Sequence, residues 1–173
     1  PKSREFVLKG LFPNQQSIIE EMNAVLNVFI KYDVKVYRPE NIPSLNQIFC
    51  RDIGFVIEDK FIIPNIISDR SDEVDALAYL HLQIEEGSII NMPENTRVEG
   101  GDVMLCNEYV FVGYSEAQDF EKYQVSRTNK AAVEFLQSAF PNKQIKGFEL
   151  NKSDINPREN ALHLDCCFQP IGN

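Results

Sequence analysis

Apolar residues recur at helical spacing at Ile18, Met22, Val25, Leu26 and Phe29, with Asn14 or Ser17 placed to cap the start. The pattern predicts a helix running to about Tyr32. Shorter apolar runs flank it: Phe6-Val7-Leu8 and Val34 to Tyr37 read as strands, the second closed by Arg38-Pro39. Beyond Asp52 the rhythm changes to Phe55-Val56-Ile57, the polar Glu58-Asp59-Lys60, then Phe61-Ile62-Ile63, which predicts a β-hairpin. A helix from Ser71 or Asp72 to about Ile84 and a strand from Ser88 to Met92 follow. The same succession then returns. Val103-Met104-Leu105, a polar break at Cys106-Asn107-Glu108 and Tyr109 to Val112 form a second hairpin, followed by a helix from about Thr128 to Ala139 and a strand from Gln144 to Leu150. His163 to Phe168 reads as the opening of a third hairpin.

Each hairpin is introduced by an acid, Asp52, Asp102 and Asp165, at intervals of 50 and 63 residues. A degenerate repeat of acid, hairpin, helix and strand with that period predicts an α/β propeller or solenoid built from one supersecondary unit. In a closed ring the three acids converge on the axis as an electronegative pocket, which a bound cation or protonation must relieve. The second of these sites is the most distinctive. In Glu99-Gly100-Gly101-Asp102 two carboxylates flank a glycine pair, and paired glycines let backbone or ligand approach closely.

Composition narrows the partners. The 173 residues carry a net charge of -9. That balance argues against nucleic acid or an anionic membrane and fits a cationic ligand. Cys50, Cys106, Cys166 and Cys167 show no CxxC pairing and no metal-type spacing with His81 and His163. They read as reduced thiols of a cytoplasmic protein, with no metal and no cofactor expected. The run from Asp69 to Asp75 reads as a solvated helix N-terminus, and His81 as structural. The chain starts at Pro1 without methionine and stops just after a strand-like run. It therefore reads as one domain over residues 1–173, incomplete at its C-terminus. An unpaired hairpin edge from Asp165 to Asn173 predicts association into a homo-oligomer or low stability.

Four motifs appear in order: Arg51-Asp52 after Phe49, Glu99-Gly100-Gly101-Asp102, Ser126-Arg127-Thr128-Asn129 and His163-Leu164-Asp165. Together they resemble the guanidino-group-modifying (pentein) superfamily of arginine deiminases, dimethylarginine dimethylaminohydrolases and amidinotransferases. The resemblance implies ββαβ blades around a pseudo-fivefold axis, about three of five present here. It implies that His163 is the general acid and base and Glu99 the acid beside it. Asp52 and Asp165 would grip the guanidinium, and Arg127 would bind the substrate α-carboxylate with help from Asn46. For Asp102, substrate contact and burial against the glycine turn both remain open.

A guanidinium is planar, permanently charged and offers a fork of donors that suits carboxylates. The resemblance implies attack on its central carbon by a cysteine thiolate, through a covalent thiouronium intermediate. The family's nucleophile lies near the C-terminus of a chain about twice as long, and the four cysteines here read as core or near-site thiols. Hydrolysis and amidino transfer both fit. Two rival classes are a catalytically silent binding module of the same fold for a cationic ligand or a protein, and a metal-dependent hydrolase using the three acids.

Overall fold

The computed structural model describes residues 2–171, which divide into two compact units, one up to residue 38 and one from residue 39. The first contains helices α1 (Lys2–Leu8) and α2 (Gln15–Lys31). Asn14 caps α2, its Oδ1 accepting the Ser17 N–H at 2.9 Å, as the helix-start pattern predicts. The apolar stripe of α2 is present but none of its residues is buried. Phe6-Val7-Leu8 is helical rather than extended, and Val34 to Tyr37 forms no strand. An apolar run becomes a strand only by pairing, and among the described residues neither run has a partner strand.

The second unit carries the repeat. β1 (Phe55–Ile57) and β2 (Lys60–Ile63) pair antiparallel, and β3 (Ile89–Asn91) joins β2 in parallel. β4 (Val103–Cys106), β5 (Tyr109–Tyr114) and β6 (Gln144–Glu149) repeat that topology, antiparallel and then parallel. Both hairpins turn through two residues, and Glu58 and Asn107 take the left-handed backbone conformation that tight hairpins require (φ 57° and 52°). Ile57 and Ile62 from the first sheet and Val103, Val110 and Val112 from the second meet in one core. Ala132, Val133 and Leu136 of helix α6 (Lys130–Ala139) complete it. Its cap, Asn129, accepts from the Ala132 and Arg97 N–H groups, both at 3.0 Å.

The helix expected from Ser71 to Ile84 is broken into a 3-10 turn (Ser68–Arg70) and two short helices, α3 (Asp72–Asp75) and α4 (Ala78–His81). The Ala76 carbonyl accepts from Glu40 N–H while Leu80 N–H turns to Leu77, so the ladder is interrupted between them. One further short helix, α5 (Ala117–Lys122), precedes α6 and has no strong periodic pattern in the sequence.

The three acids do occupy equivalent local structure. Each lies in a 3-10 turn, at Cys50–Ile53, Gly100–Asp102 and Leu164–Cys166. The first two turns lead into β1 and β4, whereas the third replaces the strand expected from His163 to Phe168. The N–H groups of Cys167 and Phe168 both bond back to the Leu164 carbonyl, curling the chain there.

Candidate active site

The glycine pair is where the first two turns touch. A Cβ at Gly100 would lie 2.0 Å from the Arg51 carbonyl oxygen, and one at Gly101 would lie 2.9 Å from Asp52 Oδ1 and from Cγ and Nδ1 of His163. Close approach, not an unusual backbone angle, is therefore what requires glycine. Gly101 N–H donates to Asp52 Oδ1 at 3.1 Å, tying the turns together. Gly101→Ala is expected to cost about 1–3 kcal/mol of stability by overpacking. It should also push the His163 ring off its seat, seen as a shifted His163 ring resonance beside an unchanged His81 signal.

Around this contact the side chains form a buried network. His163 Nε2 lies 2.9 Å from Glu99 Oε2, and Glu99 is fully buried. Arg127 Nη1 reaches the other oxygen, Oε1, at 3.4 Å. Arg70 enters from the opposite side: its Nη1 donates to Asp52 Oδ2 at 2.8 Å and to Glu99 Oε2 at 3.1 Å. Its Nε and Nη2 grip Glu73 at 2.9 and 2.8 Å in the bidentate arrangement that favours guanidinium–carboxylate pairs. One guanidinium is thus held by three carboxylates. Beside it opens a cavity of about 500 Å³ lined by Asn46, Asp52, Arg70, Arg127, His163 and Asp165, with Ile48, Phe49 and Leu162 on the apolar wall.

These neighbours set the charges. Burial opposes ionisation of Glu99, but the His163 hydrogen bond and the charges of Arg127, His163 and Arg70 outweigh it and hold its pKa below the usual range. Burial likewise disfavours a charged His163, yet the Glu99 bond and the carboxylates of Asp102, Asp52 and Glu99 raise its pKa above the ordinary value. Asp102 is the opposite case: burial pushes its carboxyl up to about 6, against the pull of His163, Thr128 and Lys152. Both raised groups bind protons more tightly folded than unfolded. Their contribution is complete below the unfolded pKa values and is lost as pH rises through the folded ones. The urea midpoint of the chain is therefore expected to fall as pH rises from about 4 to about 6, where Asp102 loses its proton, and to fall again above about 6.5, where an unfolded histidine has already titrated and the folded His163 has not. His163→Gln should flatten the second fall.

Comparison with known proteins places the architecture. No family model matches the chain. A protein of Bacillus subtilis (strain 168) described as uncharacterized, YkgA, is 32% identical over 127 residues, which is 72% of this chain and 37% of YkgA. The dimethylarginine dimethylaminohydrolase of Pseudomonas aeruginosa, solved as a cysteine-to-serine mutant with citrulline, superposes with a TM-score of 0.68 at 18% identity. The match covers 82% of this chain and 53% of that one. The N-terminal domain of ArgZ, a cyanobacterial arginine dihydrolase solved as a cysteine-to-serine mutant with its substrate, gives 0.67 at 17% identity over 90% of this chain and 52% of that one. SxtG, an amidinotransferase of the saxitoxin pathway from Microseira wollei, gives 0.62 at 16% identity over 82% and 51%.

The fold is the one these three solved enzymes share. This chain spans about half the length of those solved structures and just over a third of YkgA.

Within this fold, the residues singled out in the sequence fall into two groups. Asp52, Glu99, Arg127 and His163 are brought together, and Asn46 and Asp165 lie on the same cavity wall. Asp165 is not free there, because Arg51 Nε stands 3.5 Å from its Oδ2 while Arg51 Nη2 donates to the Val103 carbonyl. Asp102, for which substrate contact and burial against the glycine turn both stood open, is fully buried, accepting from Thr128 Oγ1 at 2.6 Å and Leu164 N–H at 2.8 Å. The acidic run from Asp69 to Asp75 is only partly a solvated face, since Glu73 turns inward to Arg70. The cysteines are free thiols, but Cys50, Cys166 and Cys167 are exposed rather than in the core, and Cys50 and Cys166 line the cavity. Arg70 had no distinguishing signal beyond being the lone cation in that acidic run.

Asp52, Glu99 and His163 each bring a donor atom within 4.8 Å of the others, a spacing that could hold a metal ion. Arg70 and Arg127 already supply positive charge to two of these three, Asp52 and Glu99. No helix among the described residues is long and apolar enough to cross a membrane.

Proposed function

We propose that this chain is the acid–base and guanidinium-binding part of a guanidino-group-modifying enzyme, acting on arginine or a related guanidino or ureido compound. The observation that carries the reading is the seat formed by Asp52 and Glu99, which holds the guanidinium of Arg70 directly beside the His163–Glu99 pair. The relatives in fold act on such groups by name, as a dimethylarginine hydrolase, an arginine dihydrolase and an amidinotransferase.

In this account Asp52 and Asp165 hold the substrate guanidinium, and Arg127 with Asn46 receives its carboxylate end. Glu99 keeps His163 oriented and charged. A cysteine thiolate, supplied from outside residues 1–173, attacks the central carbon. The carbon–nitrogen bond to the departing amine breaks as His163 gives that amine its proton. Water or a second amine then attacks the thiouronium carbon, passes a proton to His163 and expels the thiolate. Water makes the protein a hydrolase, an amine a transferase. The ring of ββαβ blades belongs to the same proposal, with residues 39–171 contributing its two complete units and the start of a third. So does a cytoplasmic setting, in keeping with four free thiols.

One observation favours a second reading, a silent binding module of the same fold: Arg70 already neutralises Asp52 and Glu99. The two readings part in the longer protein. If it releases a ureido or amidino-transfer product from arginine analogues and His163→Ala stops that release, it is an enzyme. If it only binds such analogues and His163→Ala leaves their affinity unchanged, it is a binder.

A further inference from the structure

His163 is delivered by a segment with no helix or strand of its own. Between the end of β6 at Glu149 and the turn at Leu164–Cys166 the chain is irregular. A site on a loop is placed less precisely than one on a rigid element unless surrounding side chains fix it. Two buried charged side chains do so here, Lys152 from within the segment and Asp102 from the turn at Gly100–Asp102. Lys152 is only 8% exposed, and its ammonium donates to the carbonyls of Ala161 and Leu162 at 2.7 and 2.8 Å. Those are the two residues immediately before His163. Immediately after it, Leu164 N–H donates to the buried Asp102 at 2.8 Å, and Thr128 Oγ1 anchors that carboxylate. The Ala161 N–H also bonds to the Asn151 carbonyl, so 151–152 and 161–162 form a closed clasp.

An ammonium out of water is costly unless its donors are used, and burial lowers the pKa of Lys152 while the Asp102 charge opposes the loss. A neutral amide could close a surface loop without that cost. The chemistry already assigned to the cavity makes no use of Lys152, which does not line it.

We propose that Lys152 is a positioning residue for His163: with Asp102 it clamps the peptides on both sides of the histidine and so aims the imidazole at Glu99. The inference rests on His163 being the acid–base group, and its test is chosen to separate the two.

The test is a histidine-selective NMR titration of the 173-residue chain, with His81 as internal reference, for the wild type, Lys152→Met and Lys152→Gln. Removing a nearby cation, by itself, raises the midpoint of an imidazole. Releasing the imidazole from Glu99 lowers it. Of the groups acting on the ring, Glu99 and Asp52 are unchanged, whereas Asp102 loses the pull of the Lys152 charge equally in both variants, so the clamp is read as the excess fall of Lys152→Met over Lys152→Gln, and equal falls overturn it. The clamp predicts a fall in the His163 midpoint by about one pH unit, a tenfold loss of proton affinity, in Lys152→Met. Lys152→Gln, which keeps donors for the carbonyls and so the fold, should show a smaller fall of the same sign. A rise, or no change, in a folded variant overturns the clamp and leaves the acid–base reading standing. A wild-type His163 that titrates at or below the ordinary value overturns the acid–base reading, and the clamp with it.

Discussion

Glu99→Gln, made in a protein that carries the whole site, is expected to cut turnover by about 10²–10⁴-fold, the range set by loss of one general acid–base group. The substitution keeps the size of the side chain but removes the charge that holds the imidazolium. Burial is then opposed only by the charges of Asp102 and Asp52, and the His163 titration moves down. The same change leaves Arg70 with Asp52 and Glu73, and leaves Arg127 without the carboxylate it faces. The activity loss should therefore appear mainly in kcat, accompanied by a displaced acidic limb of the pH profile. If Glu99→Gln alters KM alone, Glu99 contacts the ground-state substrate and does not act through His163.

Arg70→Met is expected to destabilise the chain by about 3–5 kcal/mol, because it strands buried carboxylates instead of merely deleting an ion pair. Asp52, Glu73 and Glu99 are 5%, 4% and 0% exposed, and Arg70 is their shared cation. The loss is measured as a lower urea midpoint with an unchanged denaturant slope. Added guanidinium ion should recover part of it in Arg70→Met and none in the wild type, since the vacated seat takes the same group. A variant as stable as the wild type would mean that the three acids are not held together by this residue.

The readable part of this molecule was its local chemistry. Both hairpins show as apolar runs around a polar break, because each pairs with its own neighbour in sequence. The Asn14 cap and the helix ending at Ala139 were visible for the same reason. Asp52 stood out as the acid before a repeated hairpin and Glu99 beside the glycine pair, which has to fit beneath Asp52 and His163, while His163 stood out only through the resemblance its motif carries. The hidden part depended on distant partners. Arg70 and Glu73 look like members of a solvated charged run until the turn at Ser68–Arg70 points them inward. Lys152 looks like any surface lysine until the chain folds back to place two carbonyls over it. The apolar run after His163 has strand composition, yet Asp102 captures its first N–H and curls it into a 3-10 turn.

The central claim, that His163, Glu99 and the acid-lined seat serve covalent chemistry on a guanidino carbon, is tested most directly by intact-mass analysis of the longer protein. The sample is acid-quenched while arginine or an N-methylated arginine is being consumed. The account predicts a covalent adduct on a cysteine outside residues 1–173, with altered accumulation in His163→Gln. An adduct on Cys50, Cys106, Cys166 or Cys167, or turnover with no adduct and no dependence on His163, would contradict it.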